Sequence, residues 1–150
     1  MVSKKNMDKE FIEKIQKRVM DLLKTLSNNL QVAAKDQCSE VVRLVGCWVL
    51  NEHPEYKVQV CKGTFSDESA HDVLVVEDEK VSLLIDPTIW QKFLESENIL
   101  VGSVSNASEA IGLLEGKYGG TWKVSEIMQK CDENYQQELL TVIKKDKQKV

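Results

Sequence analysis

Three residues of the chain, Cys38, His71 and Asp86, carry side chains that can act together in thiol chemistry. A cysteine attacks an electrophile as its thiolate, and an imidazole that a carboxylate orients can take up the thiol proton. The sequence predicts that Cys38 begins a helix, that His71 opens a β-strand and that Asp86 closes the next strand. The elements around these residues decide whether the three side chains can meet.

The segment from His71 to Asp86 is typical of a β-hairpin. Two runs rich in Val, Leu and Ile flank the polar stretch 77–80. A tight turn at residues 78–79 places His71 directly opposite Asp86, where the Cβ atoms of paired residues lie roughly 5 Å apart. The pattern therefore predicts a hydrogen bond between the imidazole and the carboxylate.

The helix that Cys38 begins is predicted to run to about residue 50, with Asp36 as its N-cap. The N-terminus of a helix carries a partial positive charge, so this position favours a thiolate at Cys38. The amide of Cys38 and the side chain of Gln31 or Gln37 could donate hydrogen bonds to an oxyanion. The spacing does not choose between the two glutamines. The predicted buried stripe of the helix is Val41, Val42, Val45, Trp48 and Val49.

The whole chain, residues 1–150, is predicted to form one α+β domain, in which a small antiparallel sheet packs on the helix headed by Cys38. Residues 1–30 are assigned to an N-terminal amphipathic helix, 31–104 to a catalytic-like core and 105–150 to C-terminal helices. The predicted elements are helices over about 8–29, 38–50, 90–94, 107–114 and 124–145, and strands over 56–61, 71–77, 81–86 and 99–104.

Composition indicates an ordinary globular protein, with 42% hydrophobic residues and a net charge of −4 over 150 residues. The longest apolar runs are short, and the N-terminus lacks the apolar core of a signal peptide, so we expect a cytoplasmic protein with no membrane partner. The four cysteines contain no CxxC pair, so we expect reduced thiols.

Metal and nucleic-acid partners are both weakly indicated. Cys38, Cys61, His71 and Asp86 are all zinc-ligand types, but none of them has the short ligand spacing of structural zinc sites. We therefore expect no metal and no other cofactor. The lysine-rich tail 144–149 could touch nucleic acid or an acidic partner, although a solvated helix end is the simpler interpretation. Nucleic acid is an unlikely partner because no basic stripe interleaved with aromatics is present.

The trio and the segment Ile85-Asp-Pro-Thr-Ile-Trp-Gln-Lys-Phe93 together resemble the transglutaminase-like branch of the papain-fold thiol enzymes, in particular its small bacterial-type members. In that group Cys, His and Asp follow one another along the chain, with the His and Asp on neighbouring strands. The resemblance covers about residues 31–93. It implies Cys38 as nucleophile, His71 as general base and acid, and Asp86 as the residue that orients the imidazole.

The function that this resemblance implies is acyl transfer through an acyl-cysteine, either hydrolysis or transfer at a peptide, protein or small amide substrate. The chain departs from the pattern at two places. Asp72 and Val73 stand where many members have an aromatic residue, and Gln37 and Ser39 flank the cysteine where Gly or Trp is frequent. The alternative is a catalytically inactive interaction module on the same fold.

Overall fold

The computed structural model describes residues 9–35, 37–129 and 131–148, with no side-chain description for 145–148. Within these residues the chain forms five α-helices and a five-stranded antiparallel sheet, so the α+β prediction is confirmed. The elements are α1 Lys9–Leu26, α2 Leu30–Ala34, α3 Cys38–Glu52, β1 Lys57–Thr64, β2 Ala70–Glu77, β3 Ser82–Asp86, a 3₁₀ helix Ile89–Gln91, β4 Leu100–Val104, α4 Ala107–Tyr118, β5 Trp122–Ile127 and α5 Glu133–Gln148.

The sheet has the strand order β4-β3-β2-β1-β5, and helices cover both of its faces. Side chains alternate between the two faces along each strand. One face packs with α1, α2, α3 and α5 in the larger hydrophobic core, and the other packs with α4 in a smaller one. β2 lies in the middle of the sheet, so residues at its start are enclosed from both sides.

Helix α3 begins at Cys38 and packs on β1 and β2, as the sequence predicts. Val41, Val42 and Val45 are fully buried, and this β-branched stripe explains why tertiary packing, rather than helix propensity, stabilises α3. The predicted N-cap, Asp36, lies outside the described residues. Gln37 occupies the N-cap position, and its side chain makes no capping hydrogen bond.

The hairpin β2–β3 is present, but the predicted register is wrong by two residues. Glu77 pairs with Ser82, and the connection is a four-residue loop in which the Asp78 amide bonds to the Val81 carbonyl at 3.0 Å. The Asp78 carboxylate accepts from the amides of Lys80 and Val81, which stabilises this wider loop over the predicted two-residue turn. A shift of two residues preserves the faces of a strand.

His71 and Asp86 are therefore diagonal neighbours on one face of the sheet rather than directly opposed. Diagonal neighbours on adjacent antiparallel strands lie about 7–8 Å apart, still within reach of long side chains. The predicted hydrogen bond between imidazole and carboxylate is present despite the register error.

The C-terminal third differs from the prediction of helices alone. Residues 122–127 form strand β5, antiparallel to β1, and the helix predicted from residue 124 begins at Glu133. Gly119 and Gly120 both have positive φ, and this turn returns the chain to the edge of the sheet. Helix α4 also continues one turn beyond its predicted end, to Tyr118.

The N-terminal region is two helices rather than one helix followed by a loop. Helix α1 ends at Leu26, and the short helix α2 starts after Asn29, whose side chain accepts hydrogen bonds from the amides of Gln31 and Val32. The lysine-rich tail from residue 145 onward lies outside the described side chains.

Cys47 and Cys131 form a disulfide, so the expectation of reduced thiols is wrong for this pair. Their Cα atoms lie 5.1 Å apart, and the bond joins α3 to the segment that precedes α5. Disulfides are typical of oxidising compartments, so this bond weighs against the cytoplasmic location expected from the sequence. Among the described residues, no helix is long and apolar enough to cross a membrane.

Candidate active site

His71 lies at the start of β2 with its ring completely buried, and both ring nitrogens have partners. Nε2 lies 2.9 Å from Oδ2 of Asp86, and Nδ1 lies 2.8 Å from Oε1 of Gln91, in the 3₁₀ helix that follows β3. The strand pairing brings Asp86 to the imidazole, and the chain reversal after Pro87 brings Gln91 to its other side.

The Asp86 carboxylate is also completely buried and accepts three hydrogen bonds. Its Oδ2 accepts from the Tyr118 hydroxyl at 2.6 Å as well as from the imidazole, and its Oδ1 accepts from the Thr88 amide at 3.1 Å. Burial, followed by the charge and hydrogen bond of Asp86, raises the pKa of Tyr118. Tyr118 therefore stays protonated, and its hydroxyl donates to the carboxylate and fixes its position.

The orientation of Gln91 indicates the protonation state of His71. The Gln91 Nε2 donates to the carbonyl of Ala34 at 2.9 Å, so the amide oxygen faces the imidazole as an acceptor. Nδ1 must then donate to Gln91 while Nε2 donates to Asp86, which makes the ring an imidazolium. Burial alone lowers the pKa of His71, but the charge and hydrogen bond of Asp86, followed by those of Cys38, raise it to about 10.

Cys38 is a free, partly exposed thiol at the first residue of α3, close enough to His71 to help raise the pKa of the imidazole. The Gln91–Ala34 hydrogen bond ties the end of α2, four residues before Cys38, to the 3₁₀ helix beside the imidazole. The structure thus brings the three predicted residues near one another, and Cys38 is the member that solvent reaches.

The two glutamines singled out as oxyanion donors have different environments. Gln31 is exposed and its Nε2 donates to the Leu94 carbonyl at 3.2 Å. Gln37 is only 1% exposed, and neither its Nε2 nor its Oε1 has a hydrogen-bond partner among the described residues. A buried amide without a partner is uncommon because its desolvation is uncompensated, so the Gln37 side chain is available to a further polar group.

Three aromatic rings enclose the His71 imidazole on the α4 side of the sheet. The ring centroids of Phe65, Tyr118 and Trp122 lie 4.7, 5.9 and 6.1 Å from that of the imidazole. Aromatic rings stabilise a nearby cation and exclude water, so this enclosure suits an imidazolium. Gly63 pairs with His71 and with Trp122, and a Cβ atom at Gly63 would collide with the indole of Trp122.

Sequence reasoning gave no role to Gln91, Tyr118 or the aromatic enclosure. Gln91 belongs to the segment that carries the family resemblance, so a signal for it existed. Gly63 within a strand also signals a close approach of another group. Tyr118 lies 32 residues from Asp86 on a different element, and no local pattern could join the two.

Cys61, the remaining free thiol, is buried in the smaller core, where burial and the charge of Glu77 raise its pKa to about 11. Across residues 9–35, 37–129 and 131–144, no group of three His, Cys, Asp or Glu side chains is arranged to hold a metal ion. No protein-family model, no curated protein and no solved structure matches this chain.

Proposed function

We propose that this protein is a cysteine-dependent acyl-transfer enzyme related to the transglutaminase-like branch of the papain-fold enzymes. Cys38 acts as the nucleophile, His71 as general acid and base, and Asp86 as the residue that orients the imidazole. The observation that supports this most is that a buried Asp86–His71 pair, joined at 2.9 Å, extends to a partly exposed thiol at a helix N-terminus. A buried cation beside such a sulfur favours the thiolate.

In the first step the Cys38 thiolate forms a bond to the carbonyl carbon of an amide, and the C=O π electrons move to oxygen. The Cys38 backbone amide and the Gln37 side-chain amide are the donors best suited to that oxyanion, because the Gln37 amide lacks a partner among the described residues. Gln31 is the poorer candidate because its Nε2 is already bonded to the Leu94 carbonyl.

In the second step His71 gives its proton to the departing amine as the C–N bond breaks, which leaves an acyl-Cys38 thioester and a neutral imidazole. Water or an acceptor amine then attacks the thioester while the imidazole takes a proton from it, and the thiolate leaves. Asp86 stabilises each imidazolium that forms. Peptide, protein and small amide substrates are all compatible with this chemistry.

One observation favours the alternative, a non-catalytic interaction module. Nδ1 of His71 is bonded to Gln91 at 2.8 Å, and the imidazole is wholly buried. Because Nε2 is bonded to Asp86, Nδ1 is the nitrogen that must serve Cys38, and Gln91 competes for it. In an inactive protein this competition would persist; in the enzyme the sulfur and the leaving amine must replace Gln91 during the reaction.

The test is the rate at which iodoacetamide alkylates Cys38, measured by peptide mass mapping between about pH 6 and pH 9 without reductant. A thiolate held by an imidazolium gives a rate that is already on its plateau near pH 6, whereas an ordinary thiol with a pKa near 8.5 gives a rising rate. His71→Ala and Asp86→Asn should each lower the rate near pH 6 at least about tenfold and restore the rising profile. Cys61, buried in the same molecule, serves as the internal slow thiol.

Acyl transfer itself is tested with p-nitrophenyl acetate, which should release p-nitrophenolate in a burst equivalent to one Cys38 and leave an acetyl thioester on that residue. Cys38→Ser should abolish both the burst and the modification. Slow alkylation of Cys38 with an ordinary pH profile, unchanged in His71→Ala, would support the interaction module instead.

A further inference from the structure

The guanidinium of Arg43, on the second turn of α3, joins three elements of the fold. Its Nη1 donates to the Ser39 carbonyl at 3.1 Å, to Ser39 Oγ at 2.7 Å and to Asp72 Oδ2 at 3.0 Å. Its Nε and Nη2 donate to Oε1 of Glu126 on β5, at 3.1 and 2.6 Å. The side chains of Arg43 and Asp72 are 13% and 3% exposed, so their ion pair is shielded from solvent.

The partners of Nη1 are the direct neighbours of the proposed catalytic pair. Ser39 follows Cys38 in the first turn of α3, and Asp72 follows His71 in β2. Asp72 points to the α3 side of the sheet, while His71 points to the α4 side. Arg43 therefore links the residue that follows Cys38 in α3 to the residue that follows His71 in β2.

Apolar packing alone does not fix the position of α3 along its own axis. The contacts between α3 and the sheet are made mainly by valine and leucine side chains, and such contacts are non-directional. A guanidinium has donors in a rigid fork, and hydrogen bonds to charged partners are directional, so one arginine can set the register of a helix on a strand. The neighbouring Lys62 makes a weaker link, since its Nζ lies 3.8 Å from Asp72 and its side chain is 47% exposed.

We propose that Arg43 is a positioning residue that sets the separation between the Cys38 sulfur and the His71 ring, through Ser39 on one side and Asp72 on the other. The inference rests on the proposed function. A misplacement of about 1 Å at a reacting group can cost about 100-fold in rate, so the loss of this link acts on reactivity even when the fold survives.

Four substitutions separate positioning from general stabilisation. Arg43→Met removes every hydrogen bond, and Arg43→Lys keeps the charge but not the fork. Asp72→Asn weakens the link to β2, and Glu126→Gln weakens only the link to β5. Arg18→Met is the matched control, because Arg18 belongs to α1 and lies 4.1 Å from the ring centroid of Trp48, which is in α3 but far from its N-terminus.

The readout is the pH profile of Cys38 alkylation by iodoacetamide in the folded protein. Near pH 6.5 the rates of Arg43→Met and Asp72→Asn should fall at least about tenfold, with Arg43→Lys between them and wild type. Near pH 9.5 all rates should converge, because a free thiol is then ionised without the imidazole. Glu126→Gln and Arg18→Met should keep the wild-type profile. If Arg43→Met does not fold, Asp72→Asn and Arg43→Lys carry the test.

Two results would overturn the inference, and they differ. A wild-type profile without a plateau near pH 6 would overturn the proposed function, and the role of Arg43 with it. A wild-type plateau that persists in Arg43→Met and Asp72→Asn, or that Glu126→Gln removes equally, would leave the proposed function standing and reduce Arg43 to a structural link.

Discussion

The raised pKa of His71 predicts how the stability of a chain without the Cys38 thiol depends on pH. In Cys38→Ala the imidazole keeps Asp86, whose charge and hydrogen bond raise its pKa more than Cys38 does. The folded chain should therefore hold a proton on the His71 ring at pH values where the unfolded chain, with a histidine pKa of 6.5, has lost it.

The direction and size of the effect follow from the two pKa values. The folded-state value lies above the unfolded one, so the stabilisation is fully present below about pH 6.5 and is lost as the pH rises through the folded-state pKa, which is about 10 in wild type and lower without Cys38. Between these limits the free energy of unfolding should fall by about 1.4 kcal/mol per pH unit. From about pH 7 to 8.5 the loss is about 2 kcal/mol. The buried thiol of Cys61 acts with the same sign, but only above its unfolded value of 9.0.

The measurement is urea-induced unfolding, followed by circular dichroism at several pH values in that window, without reductant so that the disulfide stays closed. The control is Cys38→Ala combined with His71→Gln, which shares every other titratable group and should show no such slope. Equal slopes in the two proteins would refute the assignment of a buried imidazolium.

Wild type then tests the proposed ion pair. A folded thiolate–imidazolium pair holds one proton, and the unfolded chain near pH 7.5 also holds one, on Cys38 instead of His71. The two states then bind equal numbers of protons, so the wild-type slope should be close to zero where the Cys38→Ala slope is steep. A wild-type slope as steep as that of Cys38→Ala would mean that the resting sulfur is protonated.

Two further predictions concern the frame around the site. Reduction of the Cys47–Cys131 disulfide, whose residues are 84 positions apart, should lower the free energy of unfolding by about 4–5 kcal/mol on the loop-entropy account. The urea midpoint of the double alanine variant should match that of reduced wild type and should not change with reductant. A wild-type midpoint that does not change with reductant would contradict the bond. Gly63→Ala should destabilise the fold by about 1–3 kcal/mol and slow Cys38 alkylation, because its Cβ would displace Trp122. Gly112→Ala on α4, where a Cβ meets no atom within 4 Å, is the control, and equal effects of the two changes would count against the close approach at Gly63.

The parts of the fold that sequence predicts well are those with strong local periodicity. The apolar stripe of α3 correctly predicted a helix that begins at Cys38, and the two apolar runs correctly predicted the hairpin of β2 and β3. The predicted turn was wrong because the hydrogen bonds of the Asp78 side chain favour a longer loop. The hydrogen bond between His71 and Asp86 forms nevertheless, since the faces of a strand repeat every two residues.

The parts that failed depend on contacts between distant residues. Strand β5 has the exposure pattern of an edge strand, and the spacing of its apolar residues Val124 and Ile127 fits a helix equally well. The segment is a strand because it pairs with β1, which the local sequence does not show. The Cys47–Cys131 bond, the Tyr118–Asp86 hydrogen bond and the Arg43 network likewise join elements whose proximity only the folded chain creates. Such contacts leave no local trace in composition or spacing.

The amide of Gln91 has a consequence for how protons leave the site. An amide has one accepting end and one donating end, and Gln91 presents them to His71 Nδ1 and to the Ala34 carbonyl. Once Nδ1 loses its proton, its lone pair faces the amide oxygen of Gln91. If the amide rotates instead, its oxygen faces the carbonyl oxygen of Ala34. Each arrangement places two hydrogen-bond acceptors against each other. Deprotonation therefore disfavours the present position of the Ala34 carbonyl, four residues before Cys38. Proton loss from the imidazole is thereby coupled to the segment that leads to the nucleophile.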